Sequence, residues 1–184
     1  MNVVRLVKKA KKGNKEELLQ LVMAEKDVYY RLALTYMGNP HDAMDAMEDM
    51  IVKLYENIHQ LKNDEAFYSW SKTILVNGCK TLLRKQNKLV HIEQWDTANE
   101  NGMDDGLAKG PSDPYISSEQ QMDIQAMLLH VNEHQSEAIK LKYFHDLDYE
   151  TIAEMTNVSI GTVKSRVFQG LRKLREQFGG DVDE

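Results

Sequence analysis

Apolar residues recur at intervals of three and four along most of this chain, which is the spacing that places them on one face of an α-helix. The first long pattern begins at Pro40. The second begins near Asp64, a suitable N-cap, and is expected to end in the basic tract 84–88. Shorter helices are predicted over about 15–24 and 27–37, which completes an N-terminal helical bundle. The inward residues predicted for the two long helices are Ala43, Ala46, Met47, Met50, Ile51, Leu54, Tyr55 and Ile58 in the first and Phe67, Trp70, Ile74, Gly78 and Leu82 in the second.

The periodicity stops between residues 89 and 118, where glycine, proline, asparagine and acidic residues predominate. This composition is typical of a flexible linker. Periodicity returns at Ile124, breaks at Asn132, resumes through Ala138, Ile139, Leu141 and Tyr143, and continues to Phe178, and no segment alternates as a strand does. The pattern predicts an all-α protein of two small helical domains joined by a flexible acidic linker. The predicted segments are the first domain 1–88, the linker 89–118, the second domain 119–178 and an acidic tail 179–184.

The segment from Tyr149 to Leu174 predicts a helix-turn-helix. A short helix is followed by Thr156-Asn157-Val158, and Ser159 stands where an N-cap would begin the next helix. The inward stripe predicted for that second helix is Ile160, Val163, Val167, Leu171 and Leu174. Its opposite side suits DNA, because Lys can reach guanine, Gln can pair with adenine and Phe can touch the thymine methyl group. The predicted reading residues are Ser159, Gly161, Thr162, Lys164, Ser165, Arg166, Phe168, Gln169 and Arg172.

Charge is distributed unevenly along the chain, whose net charge is −6. Residues 1–88 hold 15 Lys and Arg against 11 Asp and Glu, whereas residues 119–184 hold 7 against 12. Five of those seven cations nevertheless fall between residues 159 and 178, where Glu176 is the one acid. Such local positive charge suits contact with phosphates. An ordinary solvated helix is the alternative, but a large aromatic such as Phe168 on a polar side needs a partner.

Both halves of the sequence resemble one protein family. The run Tyr-Glu-Thr-Ile-Ala-Glu-Met at 149–155, continuing through Gly-Thr-Val-Lys-Ser-Arg at 161–166, resembles the −35 reading domain of extracytoplasmic-function sigma factors of bacterial RNA polymerase. The upstream half resembles the same family in Asn-Pro-His-Asp-Ala-Met-Asp-Ala-Met-Glu-Asp at 39–49 and in Phe-Tyr-Ser-Trp at 67–70 followed by Asn77. The resemblance implies an alternative sigma factor that binds core RNA polymerase and directs promoter-specific transcription initiation.

The same resemblance implies what each domain contacts. The first domain would bind polymerase and the melted −10 element, and the second would read the duplex −35 element. An acidic stripe on the first long helix is expected to contact the polymerase, and an anti-sigma factor is implied as a further partner. The acidic residues are Asp42, Asp45, Glu48 and Asp49. The residues expected at the −10 element, where aromatic rings stack on bases and cations meet phosphates, are Phe67, Trp70, Asn77, Lys80, Arg84 and Lys88. Spacing alone also fits Phe67 and Trp70 to a core, so we expect mixed roles.

Several other classes of chemistry are disfavoured. No run of eighteen apolar residues and no signal peptide is found, so we expect no membrane insertion and a cytoplasmic location. The single cysteine, Cys79, is expected to be a small buried hydrophobe. His130-Val-Asn-Glu-His134 matches a zinc-protease pattern, but the break at Asn132 keeps the two histidines off one continuous helix. We predict no metal, no cofactor and no catalytic activity.

Two other functions fit parts of the sequence. A free-standing helix-turn-helix regulator would bind duplex promoter DNA without polymerase and would use the N-terminal helices for dimerisation or sensing. A protein that only sequesters an anti-sigma factor would tolerate alanine at its DNA-facing residues. Within the sigma-factor interpretation, the acidic linker either tethers the two domains or enters the polymerase cleft.

Overall fold

A computed structural model describes residues 1–97 and 119–179 of the chain. The described residues form nine α-helices and contain no strand, which confirms the all-α prediction. The helices are α1 (Val3–Lys11), α2 (Lys15–Ala24), α3 (Lys26–Met37), α4 (Pro40–Asn57), α5 (Phe67–Thr97), α6 (Glu119–Leu128), α7 (Glu133–Ile139), α8 (Tyr149–Thr156) and α9 (Ile160–Phe178). Residues 98–118 of the predicted linker and 180–184 of the predicted tail lie outside the described residues.

The chain divides into two compact units, Met1–Ser112 and Asp113–Glu184. We call them unit 1 and unit 2; unit 1 contains α1 to α5, and unit 2 contains α6 to α9. The prediction that the second long helix ends in the basic tract 84–88 was wrong, because α5 continues to Thr97. Residues 89–97 contain neither glycine nor proline, so no strong stop signal follows the basic tract.

The core of unit 1 forms where α3, α4 and α5 pack against one another. On α4 the predicted inward residues are largely buried, although Ile51 is half-buried and Tyr55 is exposed. On α5 the buried face is rotated from the predicted stripe, because this helix packs against both α3 and α4. Trp70, Ile74 and Leu82 are only half-buried. Gly78 is buried as predicted. Among the described side chains of α5, those that are fully enclosed are Phe67, Ser71, Leu75, Val76 and Cys79.

The start of α5 also differs from the prediction that Asp64 is its N-cap. Asn63 instead accepts the backbone N–H of Glu65 at 3.1 Å and caps a short 3₁₀ turn, Asp64–Ala66. The Asp64 carboxylate forms an ion pair with Lys11 of α1. This ion pair therefore helps to hold α1 against the turns between α4 and α5.

The first helix, α1, is an element that the sequence analysis missed. Asn2 caps it by accepting the backbone N–H of Arg5 at 3.0 Å. Leu6, Val7 and Ala10 form its buried face, which packs on α2 and on the turns between α4 and α5. The signal was present as an Asn N-cap followed by apolar residues at helical spacing.

Two polar groups lie inside the core of unit 1. The Tyr29 hydroxyl and the Ser71 hydroxyl are 2.7 Å apart and both side chains are fully buried. Burial raises the pKa of Tyr29, so this hydroxyl stays protonated. Cys79 is buried as predicted, and burial raises the pKa of its thiol to about 11.

Unit 2 is built around the crossing of α7 and α9. Gly170 lies at the crossing, because a Cβ there would come within 2.7 Å of Ile139 Cδ1. The break predicted at Asn132 is confirmed, since Asn132 caps α7 in a capping box with Gln135. After α7 a π-helical turn, Lys140–Phe144, shifts the phase of the side chains. Tyr143, predicted within the apolar pattern, is consequently exposed.

Candidate nucleic-acid interface

The turn between α8 and α9 has the geometry of a helix-turn-helix. Asn157 ends α8 in the left-handed conformation (φ 53°, ψ 47°), and the N–H of Val158 bonds back to the Ala153 carbonyl at 3.1 Å. Ser159 begins α9 as the predicted N-cap, because its Oγ accepts the backbone N–H of Thr162 at 3.1 Å. The two helices are therefore joined by a short turn, capped on both sides, that fixes the orientation of α9 relative to α8.

One face of α9 packs on the other helices of unit 2, and the opposite face is exposed to solvent. Val163, Val167 and Gly170 are buried, and the half-buried Leu171 and Leu174 pack against a cluster of Leu128, Val131 and Ile139. Ile160, predicted inward, is exposed because it is the first residue of the helix and projects beyond the packed surface. Of the predicted reading residues, Thr162 and Arg166 are half-buried. The exposed ones are Ser159, Gly161, Lys164, Ser165, Phe168, Gln169 and Arg172.

The contacts of the exposed residues on α9 are all at the surface. The Lys164 ammonium lies 5.5 Å from the centre of the Tyr149 ring, and Gln169 Nε2 donates to Ser165 Oγ at 3.1 Å. Arg172 Nε lies 3.5 Å from the Glu176 carboxylate. Phe168 is 67% exposed, an unusual position for so large an apolar ring. Weak, solvent-exposed contacts of this kind are readily exchanged for contacts to DNA.

Unit 1 carries a polar pocket beside the start of α5. The pocket has a volume of about 290 Å³ and brings together Trp70 and Asn77, two of the residues predicted to meet the −10 element. Its remaining lining residues, which the sequence analysis did not find, are Lys53, Asn57, Gln60, Ile74 and Thr81. Their only signal was i, i+4 spacing of polar residues at 53 and 57 and at 77 and 81.

Phe67, in contrast, does not line this pocket. Its side chain is completely buried, and its ring centre lies 6.3 Å from that of Trp70. Phe67 therefore supports Trp70 from the core, and its ring has no face open to the DNA base predicted to contact it. The mixed roles expected for this aromatic pair divide between Phe67 in the core and Trp70 at the surface.

The basic residues farther along α5 differ in exposure. Lys80 is half-buried, with its ammonium 5.7 Å from the centre of the Tyr36 ring, whereas Arg84 is exposed. The side chain of Lys88 lies outside the described residues. Arg84 is thus the member of this predicted stripe whose cation is open to solvent in the described part of α5.

The acidic stripe of α4 contains three exposed carboxylates and one that is held by hydrogen bonds. Asp45, Glu48 and Asp49 are exposed. Asp42 accepts hydrogen bonds from Asn39 Nδ2 at 2.7 Å and from Gln86 Nε2 at 3.1 Å, and these donors lower its pKa. The same side of α4 exposes apolar side chains that the sequence analysis did not assign to a surface: Met44, Val52 and Tyr55.

Comparisons with known proteins agree with this arrangement. The sequence-family model of Sigma-70 region 2 matches residues 21–89, and the family model of Sigma-70 region 4 matches residues 121–174. The ECF RNA polymerase sigma factor SigW of Bacillus subtilis is 28% identical over 184 residues, covering 96% of this chain and 97% of SigW. The RNA polymerase sigma factor SigV of the same organism is 32% identical over 169 residues, covering 92% and 95%. The chain belongs to the extracytoplasmic-function sigma factors.

This sigma factor also shares its fold with two solved structures. CnrH, solved in complex with the cytosolic domain of CnrY, matches with a TM-score of 0.65 at 17% identity and covers 97% of this chain and 98% of CnrH. The sigma factor RpoE of Bartonella quintana, solved with the anti-sigma factor NepR, matches with a TM-score of 0.65 at 23% identity, covering 90% and 99%. The family models and the relatives SigW and SigV show that the chain is an alternative sigma factor, a DNA-binding component of transcription initiation. Its family is not known as an enzyme family.

Unit 2 of this sigma factor also carries an apolar groove that the sequence did not reveal. The groove has a volume of about 220 Å³. Three residues at its rim are exposed: Ile124, Tyr143 and Phe144. Its lining is entirely apolar or aromatic and consists of Ile124, Met127, Leu128, Ile139, Tyr143, Phe144, Leu171 and Leu174.

The histidines of the zinc-protease pattern lie on separate elements. His130 follows α6, where its Nδ1 is 2.8 Å from Gln177 Nε2, and His134 lies in α7. Elsewhere in the described residues, ligand atoms of His41, Asp42 and Asp45 lie within 4.8 Å of one another, although Asp42 is already bound by two amides. The predicted absence of a metal stays a prediction.

Among the described helices, none is both long and apolar enough to span a bilayer.

Proposed function

We propose that unit 1 of this sigma factor binds core RNA polymerase and the melted −10 element, and that unit 2 reads the duplex −35 element. The observation that carries the proposal is the open face of α9 behind a tightly capped turn. A helix held in this way can enter the major groove with its first turns facing the base edges. The mechanism needs no chemistry from this chain, and we propose that catalysis belongs to the polymerase, in the cytoplasm.

At the −35 element, three residues on the open face of α9 read bases and the residues that border them hold phosphates. Lys164 suits guanine, Gln169 suits adenine and Phe168 suits a thymine methyl group. The backbone contacts are proposed for the hydroxyl and guanidinium groups that border them. Those residues are Ser159, Thr162, Ser165, Arg166 and Arg172, and Gly161 leaves room for the DNA backbone to approach.

At the −10 element, the pocket on unit 1 receives a base that has left the stack. Trp70 offers an aromatic surface for stacking, and Asn77 offers an amide that donates to and accepts from a base edge. Arg84, with Lys80 and Lys88, is proposed to contact the phosphates of the melted strand.

A substitution at Trp70 tests this pocket. Trp70→Ala is expected to weaken binding of holoenzyme to a melted −10 template by about 1–3 kcal/mol, the usual value of one stacked base. Trp70→Phe is the matched control, because it keeps an aromatic face and should retain most of the affinity. Equal losses in both variants would contradict stacking.

Two protein partners are proposed for the remaining surfaces. The acidic and apolar side of α4 is proposed to contact a basic surface on core polymerase through Asp45, Glu48 and Asp49, with Met44 and Val52 beside them. The apolar groove of unit 2 is proposed to take part in binding an anti-sigma factor, since the solved RpoE relative was captured with one. Apolar grooves of this kind accept amphipathic helices.

Run-off transcription with purified core polymerase tests the proposed function. Transcripts that start at particular promoters only when the chain is present would support it and would reveal both promoter elements. A chain that binds duplex DNA without polymerase and yields no transcripts would instead be a free-standing regulator. Transcripts that are unchanged after alanine substitution of Lys164 and Gln169 would overturn the −35 assignment.

A further inference from the structure

The first helix carries a concentration of positive charge that the proposed promoter contacts do not use. Residues 1–15 contain six Lys and Arg and no Asp or Glu, in a chain whose net charge is −6. Lys9 pairs with Glu17, and Lys11 pairs with Asp64. Within the described parts of the chain, no carboxylate lies within ion-pair distance of Arg5, Lys8 or Lys12.

These three cations lie on one side of α1. Their spacing of i, i+3 and i+7 aligns them on the face opposite the buried Leu6 and Ala10. All three are exposed. Together with their neighbours they line an open groove of about 450 Å³. The lining residues are Asn2, Val4, Arg5, Lys8, Lys9 and Lys12.

The position of α1 connects this groove to the pocket proposed for the −10 element. Helix α1 packs on both short turns between α4 and α5, and Lys11 Nζ donates to the Leu61 carbonyl at 2.6 Å. Gln60, in the first of those turns, lines the pocket with Trp70 and Asn77. The groove and the pocket therefore belong to elements that are in contact within unit 1, with the basic side of α1 turned away from those turns and open to solvent.

We propose that Arg5, Lys8 and Lys12 form a phosphate-binding surface for the promoter DNA backbone next to the −10 element. This proposal rests on the proposed function of unit 1. A membrane is disfavoured as the partner, because the apolar face of α1 is already buried and leaves nothing to enter a bilayer. The acidic side of α4 suits a basic partner surface, whereas α1 suits a polyanion.

The test uses holoenzyme assembled from core polymerase and the full chain. The DNA is a promoter fragment that run-off transcription has identified as active with this holoenzyme. The variant is Arg5→Gln/Lys8→Gln, since glutamine keeps helix propensity and the substitutions leave both ion pairs of α1 intact. The matched control is Lys26→Gln/Arg31→Gln on α3, which removes the same two residue types from exposed positions. Promoter affinity is measured over a series of salt concentrations, with circular dichroism as the check on folding.

The expected result is a weaker salt dependence in the α1 variant. Loss of two phosphate contacts should reduce the slope of log affinity against log salt by about 1.5. Affinity at low salt should fall by similar factors on promoters with different −10 sequences, because phosphates carry no sequence information. The control should retain the slope of the unmodified chain.

Three results would overturn the proposal. The first is an unchanged slope, or equal changes in the variant and the control. The second is loss of core polymerase binding without DNA, which would make α1 a protein contact. The third is binding of the unmodified chain, but not the variant, to vesicles of phosphatidylserine and phosphatidylcholine. If the unmodified holoenzyme itself gives no promoter-specific transcripts, the proposed function has failed, a result distinguishable from failure at α1 alone.

Discussion

Lys164 and Gln169 owe their proposed role to what their side chains lack, which is a strong internal partner. Lys164 rests over the Tyr149 ring and Gln169 shares a surface hydrogen bond with Ser165. Both contacts are exposed to water, so exchanging them for base contacts costs little. Phe67 shows the opposite case, because an aromatic residue with suitable spacing is fully enclosed and has no free ring face.

Alanine substitution at Lys164 or Gln169 is expected to weaken discrimination at the −35 element. Each lost bidentate base contact is worth about 1–3 kcal/mol, and the loss should be confined to promoters that carry the matching base. Binding of holoenzyme to a set of single-base −35 variants measures this. Lys173→Ala on the same helix is the control. It should weaken binding to all the −35 variants equally or leave binding to all of them unchanged. A uniform loss for Lys164→Ala would show that it contacts phosphate instead.

Helix-level packing in unit 2 depends on one residue without a side chain. At Gly170, α9 passes so close to α7 that a Cβ would meet Ile139 Cδ1 at 2.7 Å and Gln135 Cβ at 3.2 Å. Alanine would gain about 1 kcal/mol of helix propensity but would overpack the crossing by about 1–3 kcal/mol. The α7–α9 crossing, rather than helix propensity, is therefore expected to decide the outcome.

Gly170→Ala is accordingly expected to lower the stability of unit 2 by on the order of 1 kcal/mol. Calorimetric unfolding of the full chain measures the effect. Gly161→Ala is the matched control in the same helix, because its Cβ would meet only Ser159 Oγ at an ordinary 3.8 Å. The control should be neutral or slightly stabilising. Two equal responses would remove the packing explanation.

The N-cap of α8 makes a second prediction at the level of an element. Asp148 accepts the backbone N–H of Thr151 at 2.7 Å, and this bond lowers the pKa of Asp148. A depressed folded pKa means that the carboxylate stabilises the fold above about pH 4, the unfolded value, and that this contribution is lost as pH falls through the folded pKa. Unit 2 should therefore lose stability in acid through this residue.

A carboxyl NMR titration of Asp148 is expected to give a midpoint below that of an ordinary Asp. Asp148→Asn keeps a capping oxygen but cannot titrate, so its unfolding temperature should fall less between about pH 5 and pH 2 than that of the unmodified chain. Asp148→Ala removes the cap and should cost about 0.5–2 kcal/mol at neutral pH. A midpoint at or above the ordinary value would contradict the cap geometry.

At the scale of the whole molecule, the exposed cations and the exposed acids that are proposed to bind partners lie on different helices. Cations lie on α1, α5 and α9, whereas the exposed acids of α4 face outward beside apolar residues. A chain with net charge −6 can thus bind DNA and a basic protein surface together, because its local charges lie on different helices. Asp42 is the exception on α4, since amides of Asn39 and Gln86 already hold it.

Asp45→Asn/Asp49→Asn is expected to weaken core polymerase binding in the absence of DNA. Exposed charge pairs contribute about 0.2–1 kcal/mol each, so the two substitutions together should cost about 0.4–2 kcal/mol and slow association. Glu16→Gln/Asp27→Asn removes two exposed acids elsewhere in unit 1 and should have little effect. Stopped-flow binding to labelled core enzyme measures both. Equal effects would indicate a general charge effect rather than a contact at α4.

Local patterns were sufficient for features that depend on neighbours in sequence. The Asn132 break, the Ser159 cap and the buried stripe at Val163 and Val167 are confirmed, because caps and helical periodicity act within one or two turns. The resemblance to sigma factors is confirmed for the same reason, since its motifs are short and ordered along the chain.

Tertiary structure alone decided features that require two elements to meet. The rotation of the α5 face followed from packing against both α3 and α4, and Asp64 became a partner for Lys11 rather than a cap. The Trp70 pocket and the apolar groove of unit 2 join side chains from separate helices. The sequence by itself determined where most helices form and which of their faces are apolar, because these features depend on short-range interactions. The burial of a given side chain was decided by the tertiary structure, because it depends on which distant helix covers that side chain.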